Sequence, residues 1–253
     1  MNNGYNGYQN SPSGGFGRNR NGGYSGFSGT GYEDGLAAYS RKTFLWMFAG
    51  LAITFAISMF MAYANGGYYA YALVYSGIYY VMAIAEVVLV FVLGLRINKL
   101  SPTAATGIFL AYSTVNGFTV APILFCYNLT SVIWVFAVCA GIFGALALYG
   151  YTTKRDLTKL GTICFIALIG ILIYSIIAIF VQVPAMQIIV SVIAIVVFMG
   201  FTLYDTQKIK RYYEMCQGDE LMLKKTAIIS ALQLYLDFIN MFLYILRLFG
   251  NSR

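Results

Sequence analysis

Seven apolar runs of about 20 residues divide the chain from residue 44 onward, near 44–64, 77–95, 104–126, 130–150, 160–181, 186–206 and 226–249. Roughly 30 Å of hydrocarbon takes about 20 helical residues to cross, so each run predicts one transmembrane helix. Polar residues gather in the connections. The segment CYNLTS joins the third run to the fourth, and VQVPAMQ joins the fifth to the sixth. The pattern predicts an all-α, polytopic membrane protein with seven spans.

Ahead of the first run the pattern changes. Residues 1–35 are almost all Gly, Asn, Ser and Tyr, with Arg18 and Arg20, and contain no apolar stretch of the kind a signal peptide needs. A segment with so little to bury stays disordered. We therefore expect a disordered tail over 1–40 and a seven-helix domain over 41–253. A tail that recruits partners through its tyrosines is the functional alternative to a solvated extension.

Composition agrees with the membrane assignment: 60% of the residues are hydrophobic, 10% are charged, and mean hydropathy is +0.73. A net charge of +7 raises the question of nucleic acid. The cations, however, sit in short clusters between apolar runs, as membrane topology requires, so no nucleic-acid partner is expected. Histidine is absent, which removes Ser-His and Cys-His nucleophiles and His-containing metal sites. Cys126, Cys139, Cys164 and Cys216 form no CxxC pair, so neither a disulfide framework nor a metal centre is indicated.

The cations also orient the chain. Arg18, Arg20, Arg41 and Lys42 precede the first run; Arg96 and Lys99 follow the second; Lys154, Arg155 and Lys159 follow the fourth; Lys208, Lys210, Arg211, Lys224 and Lys225 follow the sixth. Fourteen of the 16 Lys and Arg thus lie on one side, which predicts a cytoplasmic N-terminus and an outer C-terminus. Only Arg247 and Arg253 fall on the far side. The sequon at Asn128 lies so close to the membrane that it reads as structural. Ala140 and Gly144 have the spacing that lets helices approach closely, here within one copy of the chain.

Three acids interrupt the hydrocarbon: Glu86, Asp205 and Asp237. An intramembrane charge costs on the order of 2.5–3.5 kcal/mol, so such residues are functional candidates by default. Asp205 has an ordinary alternative, an interfacial pair with Lys208 at i+3. Asp237 has none: eleven residues from the start of its run place it about 17 Å deep. Glu86 lies ten residues, about 15 Å, inward from Arg96 on the same helix. Arg96 either snorkels to the interface or reaches back to a buried acid. Two carboxylates in one buried site titrate as a pair, and with an arginine they would make a pH-sensitive latch. Ionised and facing water, they would also attract Ca²⁺. Simple counting nevertheless puts Asp205 near the surface and Asp237 far deeper, so contact would need tilt or a last helix that begins beneath the interface.

Two segments, LYDTQKI at 203–209 and LYLDFINMFLYILRLFG at 234–250, resemble the signature ends of the transmembrane Bax-inhibitor-motif proteins, a family with many bacterial members. RKTF at 41–44 and AEVVLVFVLGLRINKLSP at 85–102 support the likeness, which runs from about residue 40 to 250. The resemblance implies a central seventh helix and a calcium leak or exchanger-like pathway, in the cell membrane if the chain is bacterial. It also implies Asp205 and Asp237 as the pH-sensing pair and as Ca²⁺ ligands, Arg96 as the latch and Glu86 as an acid lining the pathway. The expected partners are lipid, Ca²⁺ and H⁺, with no cofactor and no enzymatic reaction.

Two other classes stay open. A regulator that binds other membrane proteins, such as a protease or a cell-death factor, would use the acids structurally. An intramembrane aspartyl protease would share Tyr204-Asp205, but such enzymes carry Gly-x-Gly-Asp where this chain has Leu234-Tyr-Leu-Asp237.

Overall fold

A computed structural model describes residues 29–181 and 183–252. Eight helices follow in order: α1 (Gly29–Tyr63), the short α2 (Tyr68–Tyr75), α3 (Ile78–Arg96), α4 (Pro102–Phe125), α5 (Leu129–Thr152), α6 (Thr158–Phe180), α7 (Pro184–Met215) and α8 (Glu220–Phe249). Seven stretches among the described residues are long and apolar enough to cross a membrane, α1 and α2 sharing the first (Gly31–Tyr75), which agrees with the seven expected spans. Among the described residues there is no strand, as expected where lipid offers backbone groups no partner.

Local signals fix the helix ends. Pro102 and Pro184 open α4 and α7, where a missing N–H costs nothing. Ser101 Oγ accepts the Ala104 N–H at 3.1 Å, and Asp219 Oδ1 accepts the Met222 N–H at 3.0 Å. Between α7 and α8 the chain reverses through Gly218, whose φ of +91° few other residues adopt.

Burial identifies the central helix. Of the apolar stretch of α8, 67% is buried inside the protein, against 17% for α6 and 6% for α3. The C-terminal helix is therefore the axis of the bundle, packed by α1, α4, α5 and α7. The two outlying helices lean on this inner set, α3 on α4 and α6 on α7, and show Val, Ile, Leu and Phe to the lipid.

Three expectations change. The first span begins earlier than its hydropathy suggests, so residues 29–40, assigned to the tail, are helical; residues 1–28 lie outside the described residues. Tertiary contacts hold this extension. Tyr32 Oη donates to Glu214 Oε1 at 3.0 Å, Tyr39 packs on Tyr213, and a side chain at Gly35 would collide with the Tyr213 hydroxyl. Ala140 and Gly144 do not mediate close packing: both are exposed, and a Cβ on Gly144 would meet nothing within 4 Å. The tight crossing of α5 with α7 instead uses Gly150, where a Cβ would lie 2.5 Å from the Leu203 carbonyl oxygen. Finally, α7 runs on to Met215, well past the expected end of its span, because its last turns pack against neighbours. Gln207 Nε2 donates to the Arg155 carbonyl at 2.6 Å and its Oε1 accepts the Leu157 N–H at 3.0 Å.

Asn128 has the structural role its position suggests. Its backbone N–H donates to the Asn251 carbonyl at 3.0 Å, and its side chain reaches the Ser252 carbonyl at 3.4 Å, tying the end of α8 to the turn before α5.

Candidate functional site: a carboxylate pair on the central hairpin

The axial offset of α7 against α8 brings the two aspartates level. Phe198 stacks on Tyr244 with ring centroids 6.2 Å apart. Phe198 precedes Asp205 by seven residues on α7, and Tyr244 follows Asp237 by seven on α8. Seven residues are close to two full helical turns, about 10.5 Å, so each acid lies below the ring on its own helix and on the same face. Because the helices run antiparallel, the ring contact places the carboxylates opposite one another. They lie within electrostatic reach of each other, and Cys164 of α6 lies within reach of both.

Both acids are buried, Asp205 at 8% exposure and Asp237 at 4%. Their partners are few. Lys208 Nζ stands 3.9 Å from Asp205 Oδ1, the i+3 pair that the sequence offers, and the ammonium also lies 5.2 Å from the Tyr212 ring centroid. Asp237 Oδ2 is buried with no hydrogen-bond partner among the described residues. A buried carboxylate oxygen left unpartnered costs about 1–3 kcal/mol or more, so packing stability alone does not favour an acid there.

Arg96 stands elsewhere. It is exposed at the end of α3, a helix that leans on α4, and among the described residues no ion pair joins it to either aspartate. Glu86, half-buried on α3, points inward to α4: Thr119 Oγ1 donates to one carboxylate oxygen and Asn116 Nδ2 donates to the other at 3.2 Å. No group of three or more His, Cys, Asp or Glu side chains gathers among the described residues. Two carboxylates fall short of the six to eight oxygens that hold Ca²⁺ firmly.

Residues 36–253 match the family described as "Inhibitor of apoptosis-promoting Bax1". The chain belongs to this Bax inhibitor family. It is 41% identical over 221 residues to the inner membrane protein YbhL of Escherichia coli K12, covering 87% of this chain and 94% of that protein. A Streptococcus pyogenes membrane protein is 42% identical over 175 residues, 69% of this chain and 75% of its own length. A Rickettsia prowazekii protein is 34% identical over 222 residues, 88% and 93% of the two chains. As a Bax inhibitor family member, the chain is an integral, multi-pass membrane protein.

Sequence reasoning passed over several residues of this site. Gln207 and Arg211 continue the motif that contains Asp205. Arg211 pairs with Asp156 and donates to Thr158 Oγ1 at 2.7 Å, fixing the α5–α6 connection. Tyr235 lies two residues before Asp237, on the opposite side of α8, and is wholly buried against Tyr112 and Phe109. Its place in the LYLDFIN motif was the only sign of it in the sequence.

Proposed function

We propose that this protein is a pH-sensitive calcium leak, with the Asp205–Asp237 pair as its proton sensor. The observation that carries the proposal is the pair itself: two buried acids on adjacent helices, level with one another, one with a single lysine beside it and the other with an unpartnered oxygen. Like charges this close do not both ionise cheaply, so one proton is shared and its loss changes the charge on the central hairpin. With a second charge present, repulsion between α7 and α8 must be relieved by a cation or by movement of the hairpin. Divalent cations answer the first need, and Ca²⁺ is the usual match for carboxylate oxygens. Glu86 adds a third, titratable carboxyl on the α3–α4 side.

In this conformation the cation at the pair is Lys208. A latch at Arg96 belongs to another conformation, one in which α3 shifts relative to α7. The Lys and Arg in the first half of α1, around the α3–α4 and α5–α6 connections, and on the ends of α7 and α8 that meet at Gly218 support a cytoplasmic N-terminus. The likeness to an inner membrane protein supports the cell membrane as the location.

The test is Ca²⁺ flux into proteoliposomes across pH ~5–8, which brackets the titration of coupled buried carboxylates. Wild type should show pH-dependent flux whose dependence disappears in Asp205→Asn and in Asp237→Asn. Folded protein with no flux above empty liposomes would reject the leak and turn attention to a regulator that acts by binding other membrane proteins.

A further inference from the structure

A second polar cluster crosses the bundle on the far side of α8 from the aspartates. From α3, Glu86 meets Thr119 and Asn116 of α4. The Tyr235 hydroxyl of α8 lies 2.8 Å from Asn116 Oδ1 and 2.6 Å from Thr54 Oγ1 of α1. Thr54 Oγ1 lies 2.8 Å from the Ser113 carbonyl of α4, and Thr119 Oγ1 lies 3.1 Å from the Asn116 carbonyl. Four helices thus share one unbroken hydrogen-bonded chain.

Counting hydrogens shows what the chain requires. Six contacts link these groups, and each needs one hydrogen. With Glu86 ionised, Thr54, Thr119 and Tyr235 supply one each, and the Asn116 amide supplies one to whichever neighbour its nitrogen faces, about four in all. The ionised cluster is two short. A proton on Glu86 supplies a fifth. If the Asn116 amide then turns over, Glu86 donates to Asn116, Asn116 to Tyr235, Tyr235 to Thr54 and Thr54 to the Ser113 carbonyl, and every contact from Glu86 to Ser113 is filled. The hydrogen bond at Tyr235 reverses: its oxygen accepts from Asn116 where before it donated.

The surroundings of Glu86 favour the same state. The titratable groups that face it are Tyr79 from α3 itself, Tyr112 from α4 and Tyr235 from α8. Among the described residues no Lys or Arg forms an ion pair with it. A carboxylate in the membrane without a cation, beside hydroxyls that lack hydrogens, is best satisfied as the neutral acid.

We propose that Glu86 is a proton-binding site in its own right, separate from the aspartate pair, and that Tyr235 is the positioning residue through which the central helix senses its proton. Loss of the proton leaves Tyr235 and Thr54 competing for hydrogens at the contact between α8 and α1. This inference goes beyond the leak and does not depend on whether the protein conducts Ca²⁺.

Infrared spectroscopy of the full chain in lipid, with the glutamate carboxyl carbons isotopically labelled, reads the proton directly and separates glutamate from aspartate. The other glutamates, Glu33, Glu214 and Glu220, are exposed, so Glu86 is the one labelled glutamate placed away from water. At pH ~7 wild type should show one labelled neutral-carboxyl band. That band should be lost in Glu86→Gln, retained in Asp205→Asn and Asp237→Asn, and shifted in Tyr235→Phe, which keeps the ring and removes the hydroxyl. Thr54→Val, which removes Tyr235's other partner, should shift it less and serves if Tyr235→Phe does not fold. A spectrum without the labelled band, or a band unmoved by the loss of either hydroxyl, overturns the proposal.

Discussion

Lys208 Nζ stands 3.9 Å from Asp205 Oδ1, one helical turn further along α7, and it is the only cation paired with the buried acids among the described residues. Its ammonium is held between Tyr204 and Tyr212, 5.6 and 5.2 Å from their ring centroids. The lysine is thus fixed beside Asp205 by its own helix, whereas Arg96 would have to travel to reach it. Removing a cation from beside a buried carboxylate alters the relative stability of its charged form. Lys208→Met should therefore shift the pH midpoint of Ca²⁺ flux by more than Arg96→Gln does, each measured in proteoliposomes. A larger shift from Arg96→Gln would show that the working counter-charge is the arginine.

The crossing of α5 with α7 predicts where a single methyl group is felt. A Cβ at position 150 meets the backbone oxygen of Leu203, which cannot rotate away. Gly150→Ala should cost about 1–3 kcal/mol, the usual penalty for overpacking a tight contact. Gly144→Ala, in open space, should change stability by less than about 0.5 kcal/mol. Thermal unfolding in detergent compares the two, and equal losses would contradict this crossing.

Gln207 holds the α5–α6 connection through both ends of its amide. Gln207→Leu deprives the Leu157 N–H of its acceptor, and the exposed connection should then open more often. Hydrogen exchange at Leu157 is expected to accelerate at least tenfold, which corresponds to about 1.4 kcal/mol of lost protection. The ring of α7–α8 contacts, including Phe198 with Tyr244, should keep its protection in the same variant.

Asp156, in the same connection and outside the spans, supplies a pH signature. The hydroxyl and backbone N–H of Thr158, and then Arg211, bond its carboxylate and hold its pKa at about 2 against an ordinary 3.8. A lowered folded-state pKa means that these bonds contribute fully above about pH 4 and are lost as pH falls towards 2. Nuclear magnetic resonance titration of Asp156 should show Thr158→Val, which removes the hydroxyl bond and keeps the backbone one, raising the midpoint more than Arg211→Gln does, because the hydroxyl bond is the largest of these contributions. The reverse order would mean that the ion pair controls this carboxylate.

Part of this was open to inspection in the sequence. Each apolar run became one span, although α1 and α7 extend beyond theirs on contacts that hydropathy does not register, Tyr32 and Tyr39 with Tyr213 in one case and Gln207 with residues 155 and 157 in the other. The aspartates were visible as anomalies in hydrocarbon. Their common level was not, because it depends on the axial offset of α7 against α8, which the Phe198–Tyr244 contact fixes and counting from the expected end of the sixth run does not contain. Ala140 and Gly144 fitted a packing spacing yet face outward, since spacing identifies a stripe and not the helix it meets.

By itself the sequence determined the class of molecule, the seven spans, the family and the identity of the acids that the membrane tolerates. These follow from local terms: transfer of side chains from water to hydrocarbon, and the need for every backbone group in lipid to bond within its own segment. Tertiary structure alone decided that α8 is the axis, that Asp205 faces Asp237, that Lys208 and not Arg96 stands beside them here, and that Glu86 is joined to Tyr235. Those outcomes depend on the rotation and axial offset of one helix against another, which close packing between residues far apart in the chain sets, and which no window of the sequence contains.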